Sequence, residues 1–558
     1  MTAGILDLSP DLLTLMCTHC SSRSLINLAT TCRALSEHAS SQIWSTIPSF
    51  GTLAYTLPRE VWVLKESGVL TVRATLSFTR PIKFSDLARF RKYAPYVKIV
   101  NGWGARFNLS PSAWDTLEDV LAPSCFPNLH SIFKYESQPP MVEPMHIFLC
   151  NTLRNLSLKF APSRLVLWED PVPDPARRWI TNFFAGFPSY SPMRLVSFQV
   201  LGARTGLFPP STLAHLAAIP TLQTLGITLL SDDFPDGVKL FNVVSPFPSL
   251  RTIQIETDST LLCAGLLGEV CSSHIETLKV DSDEPEPVSL DDFHAVATVL
   301  ANCPSAHVMK HLTLELGPLP CELEDPVPIR PDVFAIIHGL HALEEIVLGR
   351  GCYAALDDDA LVATLEAWPQ IRVAKLCSSE TLHFGDSDTP RVTLSGLAAI
   401  AGRCQAIEAV EVPLADIDRS EVARLLTRKP PRIWEPVGLG LFRTCCPLKT
   451  LGVGPSVLAK EDIVGVAAVL SQWFPKLRTI YYLTPLSGPD WDQGKTDWGV
   501  PIDPQVERQY WWWGKVGRLI HVFASTREQE QKWRYLVDID EALSSRVIVE
   551  HSDAAVQE

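Results

Sequence analysis

The chain has 558 residues, of which 46% are hydrophobic and 20% are charged, and its formal net charge is -14. The length exceeds what one compact core usually supports, so we expect several domains or a repeat array, and the apolar share excludes a largely disordered chain. The negative charge excludes broad nonspecific binding to nucleic acid or to anionic membranes, because both need a dominant cationic surface.

The first eleven residues carry no basic lead segment, and no run of 18 apolar residues occurs in the sequence. We therefore expect neither export nor membrane insertion, and a cytoplasmic or nuclear location. In those compartments the 14 cysteines are expected to be free thiols rather than disulfides.

Residues 6–50 are predicted to form a small helical domain. Ser9 is suited to cap a helix, Pro10 to occupy its first position and Asp11 to complement its dipole. Apolar residues then recur at three- and four-residue spacing, which predicts three short amphipathic helices. They are Leu12, Leu13, Leu15 and Met16, then Leu25, Leu28, Cys32, Leu35 and Ala39, and finally Ile43, Trp44 and Ile47.

The order of residues in this domain resembles the F-box family. The pattern is an acid after proline, a leucine-rich helix that ends in Cys32-Arg33, and a hydrophobic residue before Trp44, and it covers under a tenth of the chain. The resemblance implies that the domain binds a Skp-type adaptor and, through it, a cullin. The residues that it assigns to adaptor binding are Leu8, Pro10, Leu12, Leu13, Met16, Leu25, Leu28, Ile43 and Trp44. The alternative is a helical cap that seals the first repeat of a solenoid.

Residues 51–486 contain a recurring block of the form Leu-x-x-Leu-x-Leu, at a spacing of roughly 25 to 40 residues. Copies begin at Leu129, Leu153, Leu222, Leu250, Ile275, Leu343, Ile371, Ile407 and Leu477, with shorter versions at 312–316 and 448–453. Segments with helical periodicity lie between the blocks, at 211–219, 290–302, 332–341, 357–368, 394–404 and 461–473.

Each strand in this alternation has one apolar face that a helix must cover, so stacked units create a continuous core. The predicted fold class is α/β: a leucine-rich-repeat solenoid with a curved parallel sheet and outer helices, preceded by the small three-helix F-box-like domain. We predict that a protein substrate contacts the strand face, at Thr252, Gln254, Glu256, Thr277, Lys279 and Asp281.

Cysteines precede several blocks, at positions 125, 150, 271, 404 and 446. This looks like the cysteine-containing type of leucine-rich repeat that often follows an F-box, and it implies that most of these thiols pack in small buried sites. Inserts between repeats are predicted at 161–191, 281–289, 318–330, 377–390 and 429–441, where they could contribute to binding.

Residues 487–558 are predicted to form a C-terminal cap and tail. This segment holds the aromatic cluster Tyr510 to Trp513 and a strand-like apolar run from Leu519 to Phe523. Burial of the aromatic cluster in the cap is favoured over an exposed anchor for a partner, although both interpretations fit the sequence.

Motifs for catalysis or for cofactor binding are weak. Cys17-Thr18-His19-Cys20 has the spacing of half a zinc site but lacks a second pair, and Gly349-Arg350-Gly351 lacks the context of a nucleotide fold. The acids at 357–359 instead indicate the start of a helix, and the basic stretch 80–98 indicates a solvated helix face. We expect no metal, no cofactor and no enzyme activity.

Three functions remain open from the sequence. The favoured one is the substrate-recognition subunit of a cullin-type (SCF) ubiquitin ligase, as the F-box resemblance implies. The second is a leucine-rich-repeat scaffold that binds protein without a link to a ligase. The third is an enzyme whose site is assembled from distant segments.

Overall fold

The computed structural model describes residues 8–65, 74–102, 107–121, 125–136, 148–160, 184, 186–187, 194–202, 209–240, 243–282, 289–317, 327–349, 352–377, 390–428, 446–454, 456–482, 507–527 and 529–530. The chain forms two compact units. The first comprises Met1–Ser282 with Cys303–Ser305, and the second comprises Asp283–Asn302 with Ala306–Glu558.

The first unit begins with helices and continues as alternating strands and helices. Its α-helices are Pro10–Thr18, Ser22–Thr31, Arg33–Ser45, Phe50–Ala54, Ala88–Tyr93, Pro111–Val120, Pro210–Ala217 and Thr260–Glu269. Its 3-10 helices are Arg59–Val61, Phe84–Leu87, Ala94–Tyr96 and Ser231–Asp233. Its strands are β1 (Thr46–Ile47), β2 (Trp62–Lys65), β3 (Ala74–Phe78), β4 (Ile99–Asn101), β5 (Phe107–Leu109), β6 (Ser131–Glu136), β7 (Asn155–Phe160), β8 (Ser197–Leu201), β9 (Thr224–Leu229), β10 (Thr252–Thr257) and β11 (Thr277–Ser282).

The main sheet of this unit is parallel and follows the chain order β1-β4-β6-β7-β8-β9-β10-β11. A smaller sheet has the order β2-β3-β5, in which β2 and β3 are antiparallel and β3 and β5 are parallel. Parallel neighbours in chain order require a crossover after every strand, which is the arrangement that a strand-and-helix repeat produces.

The second unit repeats the same plan. Its α-helices are Leu290–Asn302, Pro331–Ile336, Asp358–Ala367, Leu394–Arg403, Arg419–Thr427 and Ile463–Trp473, followed by a helix over residues 507–527. Its 3-10 helices are Ile337–Gly339 and Lys460–Asp462. Its strands are β12 (His311–Leu316), β13 (Val327–Ile329), β14 (Glu345–Leu348), β15 (Cys352–Ala354), β16 (Val373–Lys375), β17 (Ala409–Glu411), β18 (Thr450–Gly452) and β19 (Thr479–Tyr481). The main order is β12-β14-β16-β17-β18-β19, and β13 pairs separately with β15.

Shared backbone carbonyls join successive repeats just before each strand. The carbonyl of Arg251 accepts hydrogen bonds from the N–H groups of Glu276 (2.8 Å) and Thr277 (3.1 Å), and the carbonyl of Gln223 accepts from Arg251 and Thr252 in the same way. We call the residues that lie immediately before the strands of the main sheet, where these bonds form, the pre-strand row. In the first unit it comprises Lys98, His130, Arg154, Val196, Gln223, Arg251 and Glu276, and in the second Lys310, Glu344, Arg372, Glu408, Lys449 and Arg478.

The core lies under the alternate residues of the strands. In β10 the residues Ile253 and Ile255 are fully buried, whereas Thr252 and Gln254 on the opposite face are half-buried. The leucines that begin the sequence blocks, among them Leu250, are buried as well. The strand, helix and burial pattern confirms the predicted α/β leucine-rich-repeat fold.

Small side chains before the strands donate hydrogen bonds to a backbone carbonyl of the preceding repeat. The thiol of Cys150 donates to the carbonyl of Leu129 (3.2 Å), as a buried repeat cysteine should. Cys271 is an exception among the cysteines that precede repeat blocks, because its side chain is exposed. The buried position belongs to its neighbour Ser272, whose hydroxyl donates to the carbonyl of Leu250 (2.7 Å).

Cys404 is buried and Cys125 half-buried, and Cys263 and Cys352, for which no prediction was made, are buried as well. Burial raises the pKa of the Cys125, Cys263, Cys352 and Cys404 thiols to about 12. These thiols therefore stay protonated near neutral pH, where a protonated thiol is a poor nucleophile and a poor metal ligand.

In the second unit, acids in the first turn of one helix bind the start of a neighbouring helix, which is the next helix for Asp358 and the preceding helix for Glu421. The carboxylate of Asp358 accepts hydrogen bonds from the backbone N–H (2.7 Å) and the hydroxyl (2.6 Å) of Thr393. Glu421 accepts in the same way from the N–H (2.8 Å) and the hydroxyl of Ser395. Asp357 caps its own helix through the N–H of Ala360, which confirms that the acids at 357–359 mark a helix start.

The C-terminal aromatic cluster lies in a helix. The strand predicted from Leu519 to Phe523 was wrong, because residues 507–527 are helical. Buried side chains recur at helical spacing along it, at Gln509, Trp513, Val516 and Ile520. Gln509 bonds both the N–H and the carbonyl of Leu458, and the Trp513 indole N–H donates to the carbonyl of Ser456, so this helix caps its own unit.

Other predictions differ in their bounds or fall outside the described residues. The basic stretch forms the short helices Phe84–Leu87, Ala88–Tyr93 and Ala94–Tyr96, in which Arg89, Arg91 and Lys92 are exposed. The predicted inserts lie mostly outside the described residues, and so do residues 487–506 and 531–558. The domain boundaries at residues 50 and 486 stay predictions.

We expect Asp358→Ala to lower the free energy of unfolding of the second unit by about 1–3 kcal/mol, because it removes both bonds to Thr393 and leaves the Thr393 N–H unpaired. Urea unfolding of the full chain, with hydrogen exchange in Leu394–Arg403 as a local readout, measures the change. Asp359→Ala is the matched control, since it removes the same charge from the same helical turn but from an exposed side chain. Equal effects of the two substitutions would contradict the role of Asp358.

Candidate functional site

The N-terminal three helices form as the sequence predicts, with two corrections. Ser9 caps Pro10–Thr18 through its hydroxyl, which accepts from the N–H of Leu12 (3.4 Å). The predicted second helix ends earlier, because Cys32 is extended and the third helix begins at Arg33. Ile47 lies in β1 and not in a helix. The break at Cys32 lets the second and third helices pack against each other.

A small apolar core holds these helices together. Cys17, Leu25 and Ala39 are buried in it, and Leu28 and Ile43 are partly buried against it. The hydroxyl of Thr14 also lies 3.0 Å from Nδ1 of His38, which ties the first helix to the third.

A set of large apolar side chains on the first helix remains exposed. The exposed fractions are 48% for Leu12, 55% for Leu15 and 43% for Met16. These residues lie at i, i+3 and i+4, so they share one helix face. We call Leu12, Leu15 and Met16 the apolar face. Ile26, on the second helix, is 55% exposed.

Trp44 links the third helix to the next part of the first unit. Its indole stacks on the ring of Tyr93 with centroids 4.8 Å apart and an interplanar angle of 18°. Tyr93 ends Ala88–Tyr93, the helix that precedes β4. The side chain of Trp44 is therefore half-buried within the chain itself.

The residues predicted to bind an adaptor thus fall into two groups. Pro10, Leu12 and Met16 are exposed and Leu8 is half-buried. The remaining five contribute to the internal packing of the domain: Leu13, Leu25, Leu28, Ile43 and Trp44. Sequence reasoning missed Leu15 and Ile26, because periodicity alone does not show which apolar residues of so small a domain stay exposed.

The six residues predicted to bind a substrate lie together on the strand face of the first unit. Thr252, Gln254 and Glu256 pair in register with Thr277, Lys279 and Asp281, and all six are half-buried. The Glu256 carboxylate is held in place because it accepts from the hydroxyl of Thr228 (3.1 Å) and from the N–H of Gly202.

The same face continues over the neighbouring strands. Gln254 is in register with Gly226, and Gly226 with Gln199. A Cβ at Gly226 would lie 3.1 Å from Cγ of Gln199, so the absent side chain lets Gln199 extend across β9. The hydroxyl of Ser157 donates to the Gln199 side chain (3.2 Å). The result is an uncharged polar strip beside Lys279.

On the strand face of the second unit lies a buried acid that the sequence analysis missed. Glu411 is 2% exposed, and its Oε2 accepts from the Tyr481 hydroxyl (2.9 Å), whereas its Oε1 has no hydrogen-bond partner among the residues that the structure describes. The Tyr481 ring reaches Glu411 over Gly452, where a Cβ would lie 2.7 Å from both side chains. Burial raises the pKa of Glu411, against the lowering effects of Tyr481 and Lys375. An acid between valines in a strand block is the sequence signal for it.

Metal-ligating side chains do not cluster in the part of the chain that the structure describes, where no three His, Cys, Asp or Glu residues could hold a metal ion together. In the Cys17-Thr18-His19-Cys20 motif, Cys17 is in the helical core and His19 is exposed. Likewise, no described helix is long and apolar enough to cross a membrane.

Comparisons with known proteins add little to this geometry. No family model matches the sequence. No curated protein matches it either.

Among solved structures, the chain is similar to the yeast Rad7 and Elc1 complex, with a TM-score of 0.33 and 11% identity over 89% of this chain and 93% of that one. It is also similar to the leucine-rich-repeat-containing protein LegL7 from Legionella pneumophila, with a TM-score of 0.27 and 14% identity over 75% and 96%. A third is the TLR13-ssRNA13 complex, with a TM-score of 0.30 and 11% identity over 69% and 50%. The fold therefore rests on the strands and helices of the chain itself.

Glu411→Gln tests the buried acid through the pH dependence of stability. Because the folded pKa lies above the ordinary value of 4.5, the folded state holds the proton more tightly, and wild-type stability falls as the pH rises from 4.5 toward the folded pKa. The substituted amide carries no titrating proton, and its oxygen still accepts from Tyr481. We expect the variant to gain stability relative to wild type as the pH rises, measured by urea unfolding between pH 4 and 8.

Glu408→Gln is the control, because the pKa of Glu408 is shifted in the opposite direction and the stability should change with pH in the opposite sense. Lys449 and Arg372 lower the pKa of Glu408, so its contribution is present above 4.5 and is lost as the pH falls through the folded pKa. This variant should therefore lose stability relative to wild type near neutral pH. If both variants showed the same pH dependence, the assignment for Glu411 would be wrong.

Proposed function

We propose that this protein is a non-enzymatic substrate-recognition subunit of a cullin-type ubiquitin ligase. In this function the N-terminal helices bind a Skp-type adaptor and the strand face of the repeats binds a protein substrate. The protein brings a substrate lysine close to the charged conjugating enzyme and so raises its effective concentration, without forming or breaking a bond itself.

The observation that carries the proposal is the apolar face on an otherwise packed helical domain. Leu12, Leu15 and Met16 are between 43% and 55% exposed in one helix face, although the same helix buries Leu13 and Cys17. Exposed large apolar groups that lie together on one helix face are typical of a surface that a protein partner covers. The F-box resemblance of residues 8–44 supports a Skp-type adaptor as that partner.

The substrate half of the proposal rests on the strand face of the repeats. Half-exposed polar side chains alternate there with buried apolar ones, so the face is fixed by the core while its outer side chains stay available for contacts. Our proposed contacts are Thr252, Gln254, Glu256, Thr277, Lys279 and Asp281, of which Glu256 is held in place by its bonds to Thr228 and Gly202.

A repeat scaffold without a ligase link is the second candidate. Leucine-rich-repeat strand faces bind proteins whether or not a ligase is involved. The stacking of Trp44 on Tyr93, in the helix before β4, supports a role of the N-terminal helices as a cap on the first repeats. The two candidates differ in one respect: the scaffold requires no partner on the apolar face.

The adaptor interaction is tested by co-purification of the full chain with a Skp-type adaptor. Leu12→Glu with Met16→Glu places charge on the apolar face, and both side chains are exposed, so the helical core stays intact. We expect at least a tenfold loss of adaptor binding, since burying unpaired charge in an apolar interface is costly.

Val464→Glu is the matched control, because Val464 is an exposed apolar side chain (59%) on a helix of the second unit. It should leave adaptor binding unchanged. No adaptor recovered with the wild-type chain would favour the scaffold, and equal binding by wild type and the double variant would remove the apolar face from the interaction.

A further inference from the structure

The two units differ in the charges along the pre-strand row. In the second unit, unlike charges alternate from Lys310 to Lys449. Glu408 accepts from the Arg372 guanidinium (3.0 Å to Nε) and from the Lys449 ammonium (2.5 Å), so two cations share one acid. In the first unit, three consecutive members are basic, namely Lys98, His130 and Arg154.

These three residues lie side by side on adjacent strands. The carbonyl of Lys98 accepts from the N–H of His130 (2.9 Å), and the carbonyl of His130 accepts from the N–H of Arg154 (2.9 Å). Neighbouring strands are about 4.8 Å apart, so the three backbone positions span roughly 10 Å. Lys98 and Arg154 are exposed and His130 is half-buried.

Within the described residues, no acid pairs with this basic triplet. The polar contact of the His130 ring is Nδ1 to the Ser131 hydroxyl (3.1 Å), and the side chains of Lys98 and Arg154 make no hydrogen bond or ion pair there. Burial, together with the charges of Lys98 and Arg154, lowers the pKa of His130. Lys98 and Arg154 carry like charges at backbone positions roughly 10 Å apart, and a bound anion between them would relieve their repulsion.

We propose that Lys98, His130 and Arg154 form a binding site for a phosphate group carried by a protein partner. A phosphate monoester has three strong acceptor oxygens and close to two negative charges, which matches three N–H donors within one short row. A single carboxylate offers less charge and two oxygens. Asn155, whose side chain donates to the Ser131 hydroxyl (3.0 Å), holds the adjoining polar positions in place.

The geometry favours a phosphorylated protein segment over a nucleic acid. A polyanion requires a basic surface that follows several phosphates. In the first unit, the two members of the pre-strand row after Arg154 are uncharged, namely Val196 and Gln223. The chain as a whole also carries a net charge of -14, which repels a polyanion. One phosphate matches in size and charge the two cations Lys98 and Arg154, with the His130 imidazole between them as a further N–H donor.

This inference rests on the substrate half of the proposed function and specifies the partner as a phosphoprotein. It is separate from the apolar face. Loss of phosphate binding would leave the adaptor result unchanged, and absence of an adaptor would leave phosphate binding unchanged, so the two failures are distinguishable.

The test measures binding of the full chain to a fluorescent pool of degenerate peptides with a central phosphoserine, by fluorescence anisotropy, with the same pool carrying serine for comparison. We expect the phosphoserine pool to bind at least tenfold more tightly and to be displaced by inorganic phosphate. Lys98→Gln with Arg154→Gln should weaken its binding at least tenfold, because it removes two charge-assisted donors.

Two further variants keep this result interpretable. Arg372→Gln removes a cation from the same position of the second unit, where it is paired with Glu408, and should leave binding within twofold. Lys98→Arg with Arg154→Lys retains both charges and should keep binding within severalfold.

The proposal is overturned if the phosphoserine and serine pools bind equally, or if the Gln double variant binds like wild type. It is also overturned if the charge-retaining variant loses binding as fully as the Gln variant, since packing rather than charge would then be responsible. Tighter binding of a single-stranded DNA oligonucleotide than of the phosphoserine pool would assign the row to nucleic acid instead.

Discussion

The constraint on which the rest of this structure depends is the shared carbonyl before each strand. In both units one carbonyl accepts two N–H groups from the next repeat, as Gln223 does from Arg251 and Thr252, and Arg372 does from Glu408 and Ala409. This sets the register of neighbouring strands, so every second side chain points into the core and the others form the open face. The candidate binding surfaces on the sheet follow from that register.

The polar contacts around the strands serve the same stacking. Ser272 and Cys150 donate to carbonyls of the preceding repeat, and Asp358 receives the N–H of Thr393 from the next helix. Each of these bonds joins neighbouring repeats rather than residues within one repeat. A repeat without its neighbour would leave such groups unpaired, which explains why short, degenerate repeats persist in one fold.

The sequence predicts the repeat blocks well because the signal is local. Leu250 and its equivalents are buried where the blocks place them, and the helix predicted at 290–302 is observed as Leu290–Asn302. Predictions failed where tertiary context decides. A strand was predicted at 519–523, where four of the five residues are apolar and hide the helical period, although residues 507–527 form a helix. Cys271 is exposed, and its neighbour Ser272 is buried instead.

The candidate surfaces were predictable only in part. Alternation along β10 and β11 identified the half-exposed residues, such as Gln254 and Lys279, since register and burial follow from the repeat. The buried contact between Glu411 and Tyr481 joins strands 70 residues apart over a glycine, which no local pattern reveals. The charge contrast between the two rows likewise becomes visible only when distant residues are placed side by side.

Hydrogen exchange on the full chain, followed by mass spectrometry, tests the role of the shared carbonyls most directly. The account predicts that peptides covering residues 223–228, 251–257 and 276–282 in the first unit, and 372–375 and 408–412 in the second, are among the slowest to exchange. Exchange at those positions as fast as in the exposed turn Ser231–Asp233 would contradict it.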